Sequence, residues 1–301
     1  MISSTVQLAS QLIKMDTVNP PGHEAIAARF IADRLTRFGV VLELHELSPG
    51  RESLIARYLG DRDTPALCFS GHLDTVPLGV APWSRNPHGG DIDGDRLWGR
   101  GSTDMKGGIA AMVIAFERLC SRGGDQPITL ALTASEETGC QGAMSIATKM
   151  GPVGALVIAE PTNEDLAIAH KGVVWLRLKS FGKAAHGSKP ELGDNAIERM
   201  VDALMSTREW TFKVNEHPLL GRPSSNIGTI AGGAATNIVP DMCEATMDIR
   251  IVPGLDVATV VSDLRRSMGP GIEIGNILAL DAVQSRADHP WLASVALIAK
   301  A

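Results

Sequence analysis

The sequence predicts an α/β fold, in which a mostly parallel sheet is covered by helices and interrupted by a smaller α+β insertion. Two observations carry this prediction. In the first half, short apolar runs alternate with segments of helical spacing, which is typical of a parallel sheet covered on both faces. From about residue 172, apolar and polar residues alternate with period two, which is typical of antiparallel strands with one face in water.

The elements of the first part follow from the spacing of apolar residues. Helical spacing predicts helices over 6–15, 24–38, 105–120 and 142–150. Short apolar runs predict strands over 54–59, 66–70, 128–133 and 155–159. Gly39 follows the second helix, and we expect it to form the C-cap because glycine adopts the left-handed conformation without strain.

The second part is predicted to be a small α+β domain. Period-two alternation predicts strands over 173–180 and 243–252, and helical spacing predicts covering helices over about 195–206 and 256–267. We therefore divide the chain into a main domain, an inserted domain and a return to the main domain, at residues 1–171, 172–281 and 282–301.

Composition and charge argue against several classes of protein. The 301 residues are 44% hydrophobic and 21% charged, as in ordinary globular proteins. The net charge of −6 argues against a non-specific nucleic-acid binder, and no apolar run approaches the length of a membrane span. The start of the chain lacks the pattern of a secretory signal, and its four cysteines form no CxxC pair. We therefore expect a cytoplasmic protein with reduced thiols and no partner among nucleic acids or membranes.

Polar residues follow three of the predicted strands at the point where each strand ends. They are His72, Asp74, Glu136, Glu137 and Glu160. Ligands of open α/β sheets bind beyond the carboxyl ends of the strands, so three such ends with imidazole and carboxylate groups indicate a metal site. One imidazole among several carboxylates suits Zn, Co or Mn.

Each candidate also has a simpler explanation. His72 and Asp74 share a face of an extended segment, so the carboxylate can hold one ring N–H while the other nitrogen binds a metal; an Asp–His hydrogen bond without a metal is the alternative. Asp104 precedes the predicted helix over 105–120 among glycines and is by itself better explained as a helix N-cap. Glu136 and Glu137 diverge on extended backbone, so one can bind a cation and the other act as a base; an exposed acidic turn is the alternative.

The chain resembles the acetylornithine deacetylase and succinyl-diaminopimelate desuccinylase family of zinc exopeptidase-type deacylases, within a wider family that includes aminoacylase-1 and glutamate carboxypeptidase. The resemblance covers nearly the whole chain. The segments that carry it are 70–77, 99–108, 133–139, 160–162, 182–190 and 236–241.

This resemblance implies a site for two divalent ions, with zinc the first choice and cobalt or manganese as alternatives. Asp104 would bridge the two ions, His72 and Glu160 would complete one site, and Glu137 would serve the other.

The implied reaction is hydrolysis of the amide bond of an N-acylated amino acid in amino-acid biosynthesis. Glu136 would be the general base toward a water that bridges the metals, and Asp74 would orient the metal-binding histidine. A dipeptidase or carboxypeptidase on the same scaffold is one alternative. A truncated, inactive metal-binding and dimerising remnant is another.

The resemblance identifies the inserted domain as a lid that also forms a homodimer. His186, Asn237 and Arg250 would contact a small N-acyl amino acid or peptide. The alternatives are a loop histidine, a turn asparagine and an arginine paired with Asp248 on its own strand.

One feature departs from the family pattern. The family has a fifth metal ligand, a histidine near the end of the chain, whereas this sequence stops at Ala301 and the setting of its last histidine, His289, does not match that motif. We therefore expect the second metal site to be one ligand short and the catalytic domain to lack its final part. An exposed sheet edge would follow.

Overall fold

The computed structural model describes residues 2–299. They form two compact units, one that ends at Glu164 and one that begins at Asp165. The domain boundaries placed at 171/172 and 281/282 by the sequence stay a prediction. Among the described residues, no helix is both long and apolar enough to cross a membrane.

The first unit contains four helices and seven strands. In chain order they are α1 (Ser4–Ile13), α2 (Ala25–Leu35), β1 (Val41–Ser48), β2 (Arg51–Tyr58), β3 (Ala66–His72), β4 (Asp91–Asp93), β5 (Arg96–Trp98), α3 (Lys106–Arg122), β6 (Ile128–Thr133), α4 (Gln141–Ile146) and β7 (Val153–Ile158). Short 3₁₀ turns extend α2 to Phe38 and α4 to Lys149. Gly39 has φ +64° at the end of the first turn, as its C-cap prediction requires.

Five of these strands form one sheet in the order β1-β2-β6-β3-β7. β3 runs parallel to both β6 and β7, whereas β2 runs antiparallel to its two neighbours. Four of the five strands therefore point the same way, and the predicted α/β fold with a mostly parallel sheet is confirmed. β1 is a half-exposed edge strand and β4–β5 a short exposed hairpin, and neither was predicted because exposed strands lack a run of buried apolar residues.

Helices cover both faces of this sheet. Leu12, Leu35 and Phe116, from α1, α2 and α3, are fully buried in one core. On the other face, Ile146 of α4 packs in a smaller cluster with Cys68 of β3. The carboxyl ends of the buried strands are left open beyond these layers, which is where the functional candidates lie.

The second unit contains a four-stranded antiparallel sheet in the order β10-β11-β9-β12. Its elements are β8 (Ala169–His170), β9 (Gly172–Phe181), α5 (Ala196–Glu209), β10 (Ser224–Gly232), β11 (Met242–Ile251), α6 (Val257–Met268), β12 (Ile272–Leu280), β13 (Val283–Gln284) and α7 (Pro290–Ala299). α5 and α6 pack on one face of the sheet in a shared core. The predicted strands over 173–180 and 243–252 are confirmed as the two central strands. β10 was missed because every one of its residues is exposed.

Candidate metal centre

His72 is the last residue of β3, and it is only 3% exposed. Its Nδ1 lies 2.9 Å from the main-chain carbonyl oxygen of Asp74 and 3.6 Å from the Asp74 carboxylate. Both oxygens only accept hydrogen bonds, so Nδ1 carries a hydrogen and Nε2 is the nitrogen left to bind a metal. The sequence assigned the Nδ1 hydrogen to the carboxylate, but the carbonyl of the same residue is the nearer acceptor.

Carboxylates surround the Nε2 atom of His72. Nε2 lies 3.0 Å from Oδ1 of Asp104 and 3.6 Å from Oε1 of Glu160. These three residues offer ligand atoms within 4.8 Å of one another, and so does a second trio of His72, Glu136 and Glu137. The structure therefore brings together, in the first unit, all four predicted metal ligands and the predicted base.

Asp104 is not the N-cap of α3, which was the simpler explanation of its position. The cap position is taken by Met105, and no side chain caps the helix. The Asp104 side chain is 53% exposed and points to the imidazole of His72 instead. Gly108 explains the approach: a Cβ there would lie 2.3 Å from the carbonyl oxygen of Ala159, so only glycine lets the start of α3 lie against the end of β7.

Asp74 is fully buried and fixes the turn that carries the two glutamates. One carboxylate oxygen accepts the backbone N–H of Glu136 at 3.0 Å, and the other accepts that of Glu137 at 3.1 Å. Burial raises the pKa of Asp74, but the adjacent His72 imidazole and the hydrogen bond from Asn19 outweigh burial and leave the pKa below its usual value. Its carboxylate stays ionised and acts as an anchor for the turn.

The glutamates of the centre repel one another. Burial, together with the charges of Asp104 and Glu136, raises the pKa of Glu137 to about 7 against the opposing charge of His72. Burial and neighbouring carboxylates also raise the pKa values of Glu136 and Glu160. Neighbouring carboxylates that raise one another's pKa values in a half-buried cluster are typical of a functional site.

The pKa of the His72 imidazole is also shifted by these carboxylates. Burial lowers the pKa of His72, but Asp74 and the charges of Glu136 and Glu160 outweigh burial and raise it to about 10. A bound divalent cation would add positive charge beside these carboxylates. One imidazole nitrogen with several carboxylate oxygens is a donor set that fits zinc, cobalt or manganese.

The three predicted substrate contacts lie in the second unit. Nδ1 of His186 lies 2.8 Å from Oγ of Ser188, and the main-chain carbonyl of Asn237 accepts the N–H of Gly187 at 2.7 Å. The two loops therefore lie side by side. Arg250 is paired with Asp248 at 2.9 Å, as its simpler explanation proposed. Contact of these three residues with substrate stays a prediction.

Two buried polar residues that were not predicted lie behind the turn that carries Glu136 and Glu137. Asn19 is 2% exposed and Glu24 is fully buried. Asn19 donates through Nδ2 to the Asp74 carboxylate at 2.8 Å, and Glu24 accepts the backbone N–H of Ser135 at 3.1 Å. The one available signal was the Asn-Pro-Pro-Gly sequence over 19–22, which is typical of a rigid turn.

Comparison with known proteins agrees with this architecture. A model of peptidase family M28 matches residues 53–164, and a model of the peptidase dimerisation domain matches residues 168–271. The chain is 34% identical to acetylornithine deacetylase of Vibrio cholerae, over 78% of this chain and 63% of that protein's length. It is 31% identical to a probable succinyl-diaminopimelate desuccinylase of Staphylococcus epidermidis, over 98% of this chain and 80% of the relative. The chain belongs to this deacetylase and desuccinylase family.

The chain has the same fold as solved structures of peptidases. An M20 family metallo-carboxypeptidase from Sulfolobus solfataricus superposes with a TM-score of 0.78 at 17% identity, covering 99% of this chain and 83% of the other. An aminopeptidase from Bacillus cereus superposes with a TM-score of 0.75 at 19% identity, covering 99% and 81%. At these identities the likeness shows the fold alone.

Proposed function

We propose that the protein is a metal-dependent amidohydrolase that removes the acyl group from N-acylated amino acids, of the acetylornithine deacetylase or succinyl-diaminopimelate desuccinylase type. The observation that carries the proposal is the convergence of His72, Glu136, Glu137 and Glu160, from adjacent strand ends, with Asp104 from just before the start of α3. The names of the relatives at 31–34% identity support this substrate class.

The ligand assignment combines one observed trio with the family resemblance. His72, Asp104 and Glu160 lie together and would hold one divalent ion. The resemblance assigns Glu137 to the other ion, with Asp104 shared between the two. We propose zinc as the metal, with cobalt and manganese as alternatives. When bound, two such ions polarise an amide carbonyl and lower the pKa of water.

Glu136 is the carboxylate that this assignment leaves free of a ligand role. It is half-buried, and its raised pKa suits a group that takes a proton from water and returns it to the leaving amine. Asp74 keeps the Glu136 backbone fixed through its N–H while the side chain exchanges the proton. Glu136 is thus the proposed general base.

A substrate panel tests the proposed activity. With Zn²⁺ or Co²⁺, we expect release of acetate or succinate from N-acetylornithine or N-succinyl-diaminopimelate, with turnover falling by at least about a hundredfold after chelation because the metal polarises the amide. Free amine release measures it. Preferential cleavage of dipeptides would instead favour a peptidase, and metal binding without any turnover would favour an inactive remnant.

We also propose a homodimer formed through the second unit. The support is the dimerisation-domain match and the exposed edge strand β10, where Ile227 and Ile230 are 40% and 50% exposed.

The four free cysteines favour a cytoplasmic protein, because disulfides are rare in that reducing compartment.

Ile230→Glu is expected to weaken the dimer, because it places a charge on the apolar surface of this edge strand. Sedimentation velocity should show the dimer dissociation constant rising by at least about tenfold, as expected for a charge buried without a partner. Val153→Glu on β7 of the first unit is the control, since Val153 is 37% exposed outside the dimerisation match. An unchanged dissociation constant for Ile230→Glu would exclude β10 from the interface.

A further inference from the structure

The segment Asn19–Glu24 lies behind the turn that carries Glu136 and Glu137. Asn19 Nδ2 donates to the Asp74 carboxylate and to Oγ1 of Thr138, both at 2.8 Å. Its backbone N–H donates to the carbonyl of Thr75 at 2.8 Å, and the residue is only 2% exposed. Asn19 therefore contacts both the anchor of the turn and the turn itself.

Glu24 holds the other end of the same turn. Its Oε1 accepts the Ser135 N–H at 3.1 Å, while Arg51 pairs with both carboxylate oxygens at 2.6 and 3.0 Å. Gly22 makes room for this pair: it has φ +82°, and a Cβ there would lie 2.5 Å from Nε of Arg51. Arg51 thus neutralises the buried charge of Glu24, and the Glu24 carboxylate also accepts the backbone N–H of Ser135.

Ser135 needs such support. It is fully buried and has φ +63°, a left-handed conformation that a residue with a side chain avoids. Its Oγ lies 2.9 Å from Oγ1 of Thr138, which closes the turn from within. Glu24 at the start and Asn19 at the end hold this strained turn in place.

We propose that Asn19 and Glu24 are positioning residues that fix the two glutamates of the centre through Asp74 and Ser135. The inference rests on the proposed function for its kinetic consequence. Loss of Asn19 leaves Asp74 short of one donor, so its carboxylate moves and the N–H groups of Glu136 and Glu137 lose a fixed acceptor. Neither positioning residue touches the reacting atoms.

The test compares Asn19→Ala and Glu24→Gln with two matched controls. Ser10→Ala removes a buried side-chain hydrogen bond of the same unit, to the carbonyl of Gly90. Glu52→Gln breaks a bidentate pair with Arg29 between the same helix and strand as the Glu24 pair, without contact to the turn. Each control thus removes or weakens an interaction similar to that of a positioning residue, at a place that does not contact the turn of Glu136 and Glu137.

The full-length variants are measured by amide hydrogen exchange, thermal unfolding and steady-state kinetics. Exchange of the N–H groups of residues 135–137 should be at least about tenfold faster in both positioning variants and unchanged in the controls. Turnover number should fall about 10–100-fold with KM within about twofold, because outer contacts of metal and catalytic groups act by orientation. If Asn19→Ala does not fold, Asn19→Asp takes its place, because it keeps the size of the side chain and removes the amide donor to Asp74 and Thr138.

The outcomes separate the two proposals. Exchange and turnover equal to those of the controls, at matched unfolding temperature, would overturn the positioning role while the amidohydrolase function stands. A wild-type protein that hydrolyses no substrate would overturn the function, and the exchange rates would still decide whether Asn19 and Glu24 hold the turn.

Discussion

Glu136→Gln is expected to lower the turnover number about 10²–10⁴-fold, the range that a positioned general base contributes, while the protein still binds its metal ions. The amide of glutamine keeps the size of the side chain but cannot take a proton from water. The backbone N–H of residue 136 still donates to Asp74, so the turn keeps its anchor. Initial rates and metal content by atomic absorption measure the two effects.

The same variant has a clear control. Glu273→Gln makes the identical chemical change on the exposed strand β12 of the second unit and should leave turnover within about twofold of wild type, as surface substitutions usually do. Loss of metal together with activity in Glu136→Gln would make Glu136 a ligand, as its trio with His72 and Glu137 allows. Retained turnover would remove the base assignment altogether.

Much of the centre could be predicted from the sequence because β6, β3 and β7 are neighbours in the sheet and run parallel. The residues that follow parallel neighbours must emerge at one edge, so His72, Glu136 and Glu160 converge without any knowledge of loop geometry. The short apolar runs of these strands were all predicted as strands from the sequence. The same strand predictions therefore give both the fold class and the cluster of candidate metal ligands.

The support behind the turn could not be predicted in this way. Asn19 reaches Asp74 through an isolated bridge between Val18 and Thr75, which joins segments that no periodicity relates. The Nδ1 partner of His72 is a main-chain carbonyl, and a main-chain atom leaves no mark on residue type. Such contacts depend on the position of the backbone in the folded protein, which the pattern of residue types does not record.

Exposed elements were missed for a different reason. All nine residues of β10 are exposed, so its side chains do not alternate between core and solvent. Its partner strand β11 alternates strictly and was predicted. A strand at an edge is defined by backbone hydrogen bonds to its neighbour, and hydrophobic patterning does not record these.

Asp104→Asn is expected to have the largest effect on the metal centre, with opposite consequences in the metal-free and metal-loaded protein. Without metal, Asp104 adds to the negative charge that raises the pKa of Glu137 to about 7, so its removal should leave thermal stability unchanged or slightly higher. With metal, the proposed bridging carboxylate is lost. We expect the bound-ion count to fall and turnover to drop by at least about a thousandfold, since metal activation of water and carbonyl is lost together.

Measuring the unfolding temperature with and without Zn²⁺ distinguishes a loss of metal binding in Asp104→Asn from a loss of stability. In wild type, a ligand that binds only the folded state raises the unfolding temperature, and Asp104→Asn should lose most of that rise while its metal-free value does not fall. Asp63→Asn, an exposed change in the same unit, should keep the full rise. A variant destabilised equally with and without metal would mean that Asp104 serves the fold. A variant that keeps the full metal-induced rise would mean that Asp104 holds no ion, and the remaining ligands of the trio, His72 and Glu160, would then have to bind it alone.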